Sequence, residues 1–285
     1  MKHITDHVFV FTSVVQQLNS IVIIEDNYLV IVDPGFFPGE IASIRSFVQP
    51  YEIPSRTLLL ILTHSHFDHI AGVPYFPEYA VVTSNTWDRD NEERAIRQLE
   101  HCDTEFYIDR PWEHGKLPFV TTHYHVQHQE TLGPFQFFHT PGHTHDSMSF
   151  SYKNLLCVGD YLSSLEFPFI NASLSDYQNT LLVITELVQQ LSPTTLLSQH
   201  GPPAEGTEIF ARIDSAHAYI DELCHLVETA QQQHYSWSNM LAQANSLFYQ
   251  GRPIPLGLKS VHKRNLKTIW GEYHHSLHMS LIPES

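Results

Sequence analysis

Residues 57–62 read Thr57-Leu58-Leu59-Leu60-Ile61-Leu62, and residues 64–69 follow as His64-Ser65-His66-Phe67-Asp68-His69. The first run is short and uniformly apolar, which makes it a core strand. The second sets four potential metal ligands at the mouth of that strand. In an extended segment residues two apart project to the same side, so His64 and His66 can grip one ion together. Asp68 and His69 come one step later, where the chain turns, and can point at a neighbouring ion. Imidazole nitrogens with a carboxylate suit Zn2+ first, with Fe and Mn as alternatives. Because 21 of 285 residues are histidine, chance clusters are commoner than usual, and the motif needs support from the rest of the chain.

Three further ligand candidates supply it, each behind an apolar run and in a turn. His143 lies in Phe138-His139-Thr140-Pro141-Gly142-His143-Thr144, Asp160 closes Leu155-Leu156-Cys157-Val158-Gly159-Asp160, and His200 closes Thr195-Leu196-Leu197-Ser198-Gln199-His200-Gly201. In motif, order and spacing the chain resembles the metallo-β-lactamase superfamily, through the His-x-His-x-Asp-His signature followed by the single His, Asp and His. An early strand-end aspartate, Asp33 in Ile31-Val32-Asp33-Pro34-Gly35, extends the likeness, which covers roughly residues 1–203.

The resemblance implies an α+β fold, the αβ/βα four-layer sandwich, with a catalytic domain over residues 1–203 and a C-terminal helical segment over 204–285. It further implies one metal held by His64, His66 and His143, and a second held by Asp68, His69 and His200. Asp160 would bridge the two, and Asp33 would stay outside, bracing the metal loops by hydrogen bonds. The plainer reading of Asp33 is a turn-forming Asp-Pro-Gly after a strand. Two Zn2+ ions per chain are expected, with Fe or Mn as alternatives.

A chain of 285 residues with 42% hydrophobic content can bury a full core and exceeds the usual single domain. The first seven residues contain no apolar signal core, and no stretch approaches 18 uncharged apolar residues, so neither secretion nor membrane spanning is expected. Cys102, Cys157 and Cys224 are odd in number and unpaired in spacing, which fits a reducing cytoplasm. The net charge of −16 should repel polyanions, which argues against a nuclease.

Residues 8–11, 21–24 and 28–32 read as successive strands, and 39–48 as a helix with Ile41, Ile44 and Val48 on one face. Residues 86–101 read as one charged surface helix. Residues 102–116, carrying Phe106, Tyr107, Pro111 and Trp112, are either a lid over the metal edge or an ordinary loop. His123, His125 and His128 alternate on an exposed strand and read as surface residues. Residues 119–152 return to strands, and 176–191 to a helix. Behind Pro202-Pro203 the pattern turns helical to the end, with one seam over Ile209, Ile213, Ala216, Ile220, Leu223 and Val227, a second from Trp237 to Phe248, and a less regular third over 258–277.

Two adjacent metal ions would hold a bridging water as hydroxide near neutral pH and polarise a carbonyl, with Asp68 placed to accept a proton. The expected reaction is hydrolysis of an ester, thioester, lactone or amide without a covalent acyl-enzyme. Superfamily β-lactamases commonly carry cysteine where this chain has Asp160, and flavodiiron proteins a glutamate where His66 stands. Lactonases resemble the core but place a tyrosine beyond the bridging aspartate, where this chain has Tyr161 adjacent. Glyoxalase II proteins combine such a core with a helical end. The leading expectation is a glyoxalase II-like, lactonase-like hydrolase of a small acyl compound. The alternatives are a metal-dependent phosphodiesterase or nuclease and a mononuclear iron persulfide dioxygenase. A small-molecule substrate, with an anionic one favoured by the basic run Arg252, Lys259, Lys263, Arg264 and Lys267, is the expected partner. No nucleic acid or membrane partner is expected, and the oligomeric state stays open, a homodimer included.

Overall fold

The structure is a computed structural model that describes residues 1–111 and 116–280, with side chains described up to Tyr273. A seven-stranded sheet runs in sequence order, β1 (Lys2–Thr5), β2 (Val8–Thr12), β3 (Asn19–Ile24), β4 (Tyr28–Val32), β5 (Thr57–Ile61), β6 (Ala80–Ser84) and β7 (Thr122–Val126). Its first four strands are antiparallel and β4 to β7 are parallel. The switch occurs where helix α1 (Pro38–Val48) provides the crossover that parallel neighbours require. The crossovers to β6 and β7 carry the one-turn helix α2 (Phe67–Ile70) and the long helix α3 (Arg89–Phe106).

A second sheet contains β8 (Thr131–Leu132), β9 (Phe135–His139), β10 (Met148–Tyr152), β11 (Leu155–Cys157), β12 (Thr195–Leu197) and β13 (Ala204–Glu205), in the order β13-β12-β11-β10-β9-β8. Helix α4 (Leu174–Leu191) links β11 to its parallel neighbour β12.

The uniform apolarity of β5 has a direct cause. Leu59 and Ile61 enter the core between the sheets, with Phe137, Phe150 and Leu197 opposite, while Leu60 and Leu62 face the outer layer with Ile41, Ile44 and Leu99. A strand buried on both faces has no polar side to show. On the far side, Leu156 and Leu196 meet Leu181 and Ile184 of α4 and the seam Ile209, Ile213, Ala216, Ile220, Leu223 and Val227. That seam belongs to α5 (Thr207–Gln232). The layers are therefore helix, sheet, sheet, helix, the four-layer α+β sandwich with helices continuing at the C-terminal end.

The end of the chain is less purely helical than its pattern suggests. After α6 (Trp237–Ala244) a hairpin of β14 (Phe248–Tyr249) and β15 (Arg252–Pro253) precedes α7 (Lys259–Ser280). Phe248, expected on the second helical seam, is 58% exposed on that hairpin, while Tyr249 beside it is buried. Gln250 and Gly251 both have positive φ, 50° and 72°, which turns the chain instead of continuing the helix. The second sheet also runs past residue 203, since β13 pairs with β12 before α5 begins.

Candidate metal centre

Local chain geometry brings the ligand candidates to one edge of the sandwich, beyond the C-terminal ends of β5, β11 and β12. His66 is extended, with φ −66° and ψ 153°, and caps α2. His64 and His66 thus share one side of an extended segment, and Asp68 and His69 are turned away by the helix that follows. Thr63 stays at the strand end because its backbone N–H and hydroxyl both donate to Asp33, at 2.9 and 2.7 Å. Asp33 is fully buried at φ 46°. It also accepts the Nδ1–H of His69 at 2.8 Å and the amide of Gln199 at 2.7 Å. Bonded through Nδ1, His69 turns Nε2 to the centre.

His143 sits in a turn that depends on Gly142, at φ 121°, where a Cβ would fall 2.4 Å from Tyr177 Cα. His143 N–H donates to the hydroxyl of Tyr161 at 2.8 Å, and that hydroxyl faces the carbonyls of Thr140 and Pro141 at 3.0 and 2.7 Å. Tyr161 therefore supports the His143 loop and does not reach the centre. His200 bonds Gln16 O through Nδ1 at 3.0 Å, which again leaves Nε2 inward.

All seven residues meet. The ring nitrogens of His64 and His143 lie 2.9 and 3.1 Å from Nδ1 of His66. Asp160 stands between the two sets: its Oδ2 lies 3.5, 3.2 and 3.5 Å from Nε2 of His64, His143 and His200, and its Oδ1 lies 3.4 Å from Nε2 of His69. Asp68 Oδ2 approaches His69 and His200 at 3.6 and 3.5 Å. His64, His66, His143 and Asp160 have ligand atoms within 4.8 Å of one another, as do Asp68, His69 and His200.

The donor set fits divalent metal. His69 Nε2 and Asp160 Oδ1 are buried and lack any hydrogen-bond partner, a cost that a shared cation would remove. Burial, then the neighbouring His69, holds His64 well below the ordinary imidazole range, and burial followed by His143 does the same for His66. Burial would also lower His69 and His200, but carboxylates outweigh it: Asp160, Asp68 and Asp33 raise His69 well above its ordinary value, and Asp160 and Glu166 bring His200 to about 10. Burial would raise Asp160, yet His69, His200 and His64 hold it well below the carboxylate range. Without metal, His64 and His66 are held neutral, whereas His69 and His200 keep protons where an ion would sit.

A cavity of about 490 Å³ opens over the centre. One wall is the first half of α3, with Asn91, Arg94 and Gln98; another is α7, with Val261 and Arg264; the loop after β11 adds Glu166, Phe169 and Asn171. Phe169 stacks on His143 at 6.1 Å between ring centroids. That loop is tied to α7 by Asn265, whose carbonyl accepts Ile170 N–H at 2.9 Å and whose amide donates to Pro168 O at 2.5 Å. The wall that α3 contributes is therefore its Asn91 to Gln98 stretch, and residues 102–111 do not line the cavity. Phe106 ends α3 and Tyr107 caps it, 64% and 92% exposed, while Trp112 lies outside the described residues. Of the basic run, Arg264 lines the cavity, whereas Arg252, Lys259, Lys263 and Lys267 are exposed and do not. His123, His125 and His128 are exposed and join no potential metal group among the described residues. Glu166, Asn171, Arg94 and Gln199 were not legible as site residues, since no local pattern announces them.

Comparison with known proteins agrees with this geometry. The chain is 29% identical over 203 residues to "Probable metallo-hydrolase YqgX" of Bacillus subtilis (strain 168), covering 66% of this chain and 87% of that protein. Among solved structures it is similar to the archaeal metallo-beta-lactamase superfamily protein ST1585 from Sulfolobus tokodaii, with a TM-score of 0.55 and 16% identity, covering 93% of this chain and 98% of that one. It is likewise similar to TTHA1623 in a di-iron-bound form, with a TM-score of 0.53 and 19% identity over 70% of this chain and 94% of that chain. The family model described as the Metallo-beta-lactamase superfamily matches residues 14–200, and the chain belongs to that superfamily.

Proposed function

We propose that this metal-dependent hydrolase works with two divalent ions, one held by His64, His66 and His143 and the other by Asp68, His69 and His200, with Asp160 shared. Its substrate is a small ester, thioester or lactone that carries a negative charge away from the scissile bond, as in the glyoxalase II-like branch. The single observation that carries the two-ion reading is Asp160, within 3.5 Å of imidazole nitrogens from both sets. Imidazoles with a carboxylate suit Zn2+ first.

When bound, such ions polarise the scissile carbonyl and make a shared water acidic. The chain's own residues do the rest. Asp68 turns Oδ2 to His69 and His200, which leaves its other oxygen to take the proton of the attacking water and return it to the leaving group. Phe169 gives the acyl portion an apolar wall beside His143. Arg94 from α3 and Arg264 from α7 line the same cavity, and two guanidinium groups there suit a remote carboxylate or phosphate.

The helical end behind the second sheet supports the glyoxalase II-like outline, because α7 supplies Arg264 and, through Asn265, holds the Phe169 loop. Tyr161, engaged with the His143 loop, gives no support to a lactonase-type tyrosine. A phosphodiesterase would use two metals equally well, but a charge of −16 and the cavity carboxylates Asp68 and Glu166 oppose a polyanion. An iron persulfide dioxygenase would leave Asp68, His69 and His200 without a task.

The deciding experiment is elemental analysis of purified protein followed by a panel of thioesters, lactones and phosphodiesters, each with and without a remote carboxylate. About two metal ions per chain and metal-dependent cleavage of anionic acyl compounds are expected. One iron with oxygen uptake on a persulfide, or turnover confined to phosphodiesters, would overturn the reading.

A further inference from the structure

Glu166 follows Asp160 in the loop after β11, and its side chain is 7% exposed. The exposed part faces the cavity, whose lining it shares with Asp68, Asp160 and His200. One of its carboxylate oxygens lies within 4.8 Å of both a carboxylate oxygen of Asp160 and a ring nitrogen of His200.

The backbone here is fixed with unusual economy. Ser163 Oγ donates to His200 O at 2.9 Å and accepts the N–H groups of Leu165 and Glu166 at 3.0 and 3.2 Å. One hydroxyl thus ties Glu166 to His200. The carboxylate, in contrast, receives no hydrogen bond from any described residue. His200 lies within 3.5 Å of both Asp68 and Asp160, so the single charge it can carry is shared among three acids. An almost buried carboxylate without a donor, beside two others, is costly unless a cation joins them.

We propose that Glu166 is a direct ligand of the ion held by Asp68, His69 and His200, an inference that rests on the two-ion reading above. Two ligand atoms on one ion at about 2.2 Å can stand at most about 4.4 Å apart, so a small side-chain rotation brings Glu166 into range. The two positions then differ in chemistry. The first offers His64, His66 and His143 with Asp160; the second offers His69 and His200 with the carboxylates of Asp68, Asp160 and Glu166. The oxygen-rich set favours a harder ion such as Mn2+ or Fe2+ more than the imidazole-rich set does.

The test compares wild type with Glu166→Gln and Glu166→Ala, each stripped with chelator and titrated calorimetrically with Zn2+ and with Mn2+. The Mn2+ electron paramagnetic resonance spectrum is recorded alongside, and the metal-free forms are melted by circular dichroism. Both variants should bind the first equivalent as wild type does and lose at least about tenfold in affinity for the second, with the larger loss for Mn2+. Their metal-free forms should melt close to wild type, because relief of the desolvated carboxylate offsets its lost attraction to His200. Two ions bound with second-equivalent affinity unchanged overturns the assignment of Glu166 alone. Equal losses at both positions, or a lower melting temperature with unchanged affinity, assigns Glu166 a structural role and overturns it too. Wild type that takes up one ion under every condition removes the two-ion reading together with this one.

Discussion

Asp33 Oδ2 lies 2.8 Å from Nδ1 of His69 and 2.7 Å from the amide nitrogen of Gln199, the residue before His200. One buried carboxylate therefore aims the ring of one ligand candidate and holds the strand end that presents another. The same group accepts two bonds from Thr63 beside His64. Two ligand loops, one from each sheet, are registered on a single side chain.

Asp33→Asn puts an amide where a carboxylate accepts four donors, so at least one buried donor faces another. The expected result is a loss of 10- to 100-fold in affinity at the second metal position, as for partners that orient metal-bound histidines, with roughly 1–3 kcal/mol of stability lost. Metal titration and denaturant unfolding measure the two effects separately. Unchanged metal affinity would reduce Asp33 to a turn residue.

Asp160→Asn should weaken both positions at once, since its oxygens face His64 and His143 on one side and His69 and His200 on the other. Elemental analysis after dialysis reads the loss, and far-ultraviolet circular dichroism should stay close to wild type because Leu59, Ile61, Phe137 and Phe150 hold the sheets together elsewhere. Retention of one ion at full affinity would show that Asp160 serves a single position.

The metal-free protein should lose stability with rising pH. Burial disfavours charge on His200, but Asp160 and Glu166 prevail and raise its pKa from 6.5 to about 10. A group raised in this way stabilises the fold fully below its unfolded value and ceases to as the pH climbs through the folded one. The melting temperature without metal should therefore decline between about pH 6.5 and 10. His200→Gln should flatten the decline. Added Zn2+ should abolish it, because the metal takes the place of the proton and expels it. Calorimetric scans at several pH values, with and without metal, decide this, and a flat metal-free profile would contradict the assignment of charge.

Arg264→Ala should raise KM for an anionic acyl substrate with little change in kcat, the pattern of a contact made equally in ground and transition states. Lys263→Ala is the control, since Lys263 is exposed and does not line the cavity. Steady-state kinetics across ionic strength separate the two, with salt weakening the wild type toward the Arg264→Ala level. Equal behaviour of both variants would move substrate recognition to Phe169 and α3.

The chain's own pattern determined the main strand and helix runs and the seven ligand candidates, and the family resemblance those candidates carry implied the layers. Strand runs such as Leu58-Leu59-Leu60-Ile61 carry their burial in their composition, and His64 and His66 carry their common direction in a spacing of two, so both are properties of a few adjacent residues. What only the tertiary structure decided depends on distant segments meeting. Asn265 reaches Ile170, Ser163 ties Glu166 to His200, and Arg94 from α3 shares a cavity with Arg264 from α7. None of these leaves a periodic trace, because each is a single polar side chain on an otherwise ordinary helix or loop. The lid is the clearest example. Aromatic content left residues 102–116 open as a lid or an ordinary loop, whereas the polar residues Asn91, Arg94 and Gln98 of α3 line the cavity. Helix placement follows from packing of Ala95, Ile96 and Leu99 on the sheet, a three-dimensional fit that local sequence does not encode.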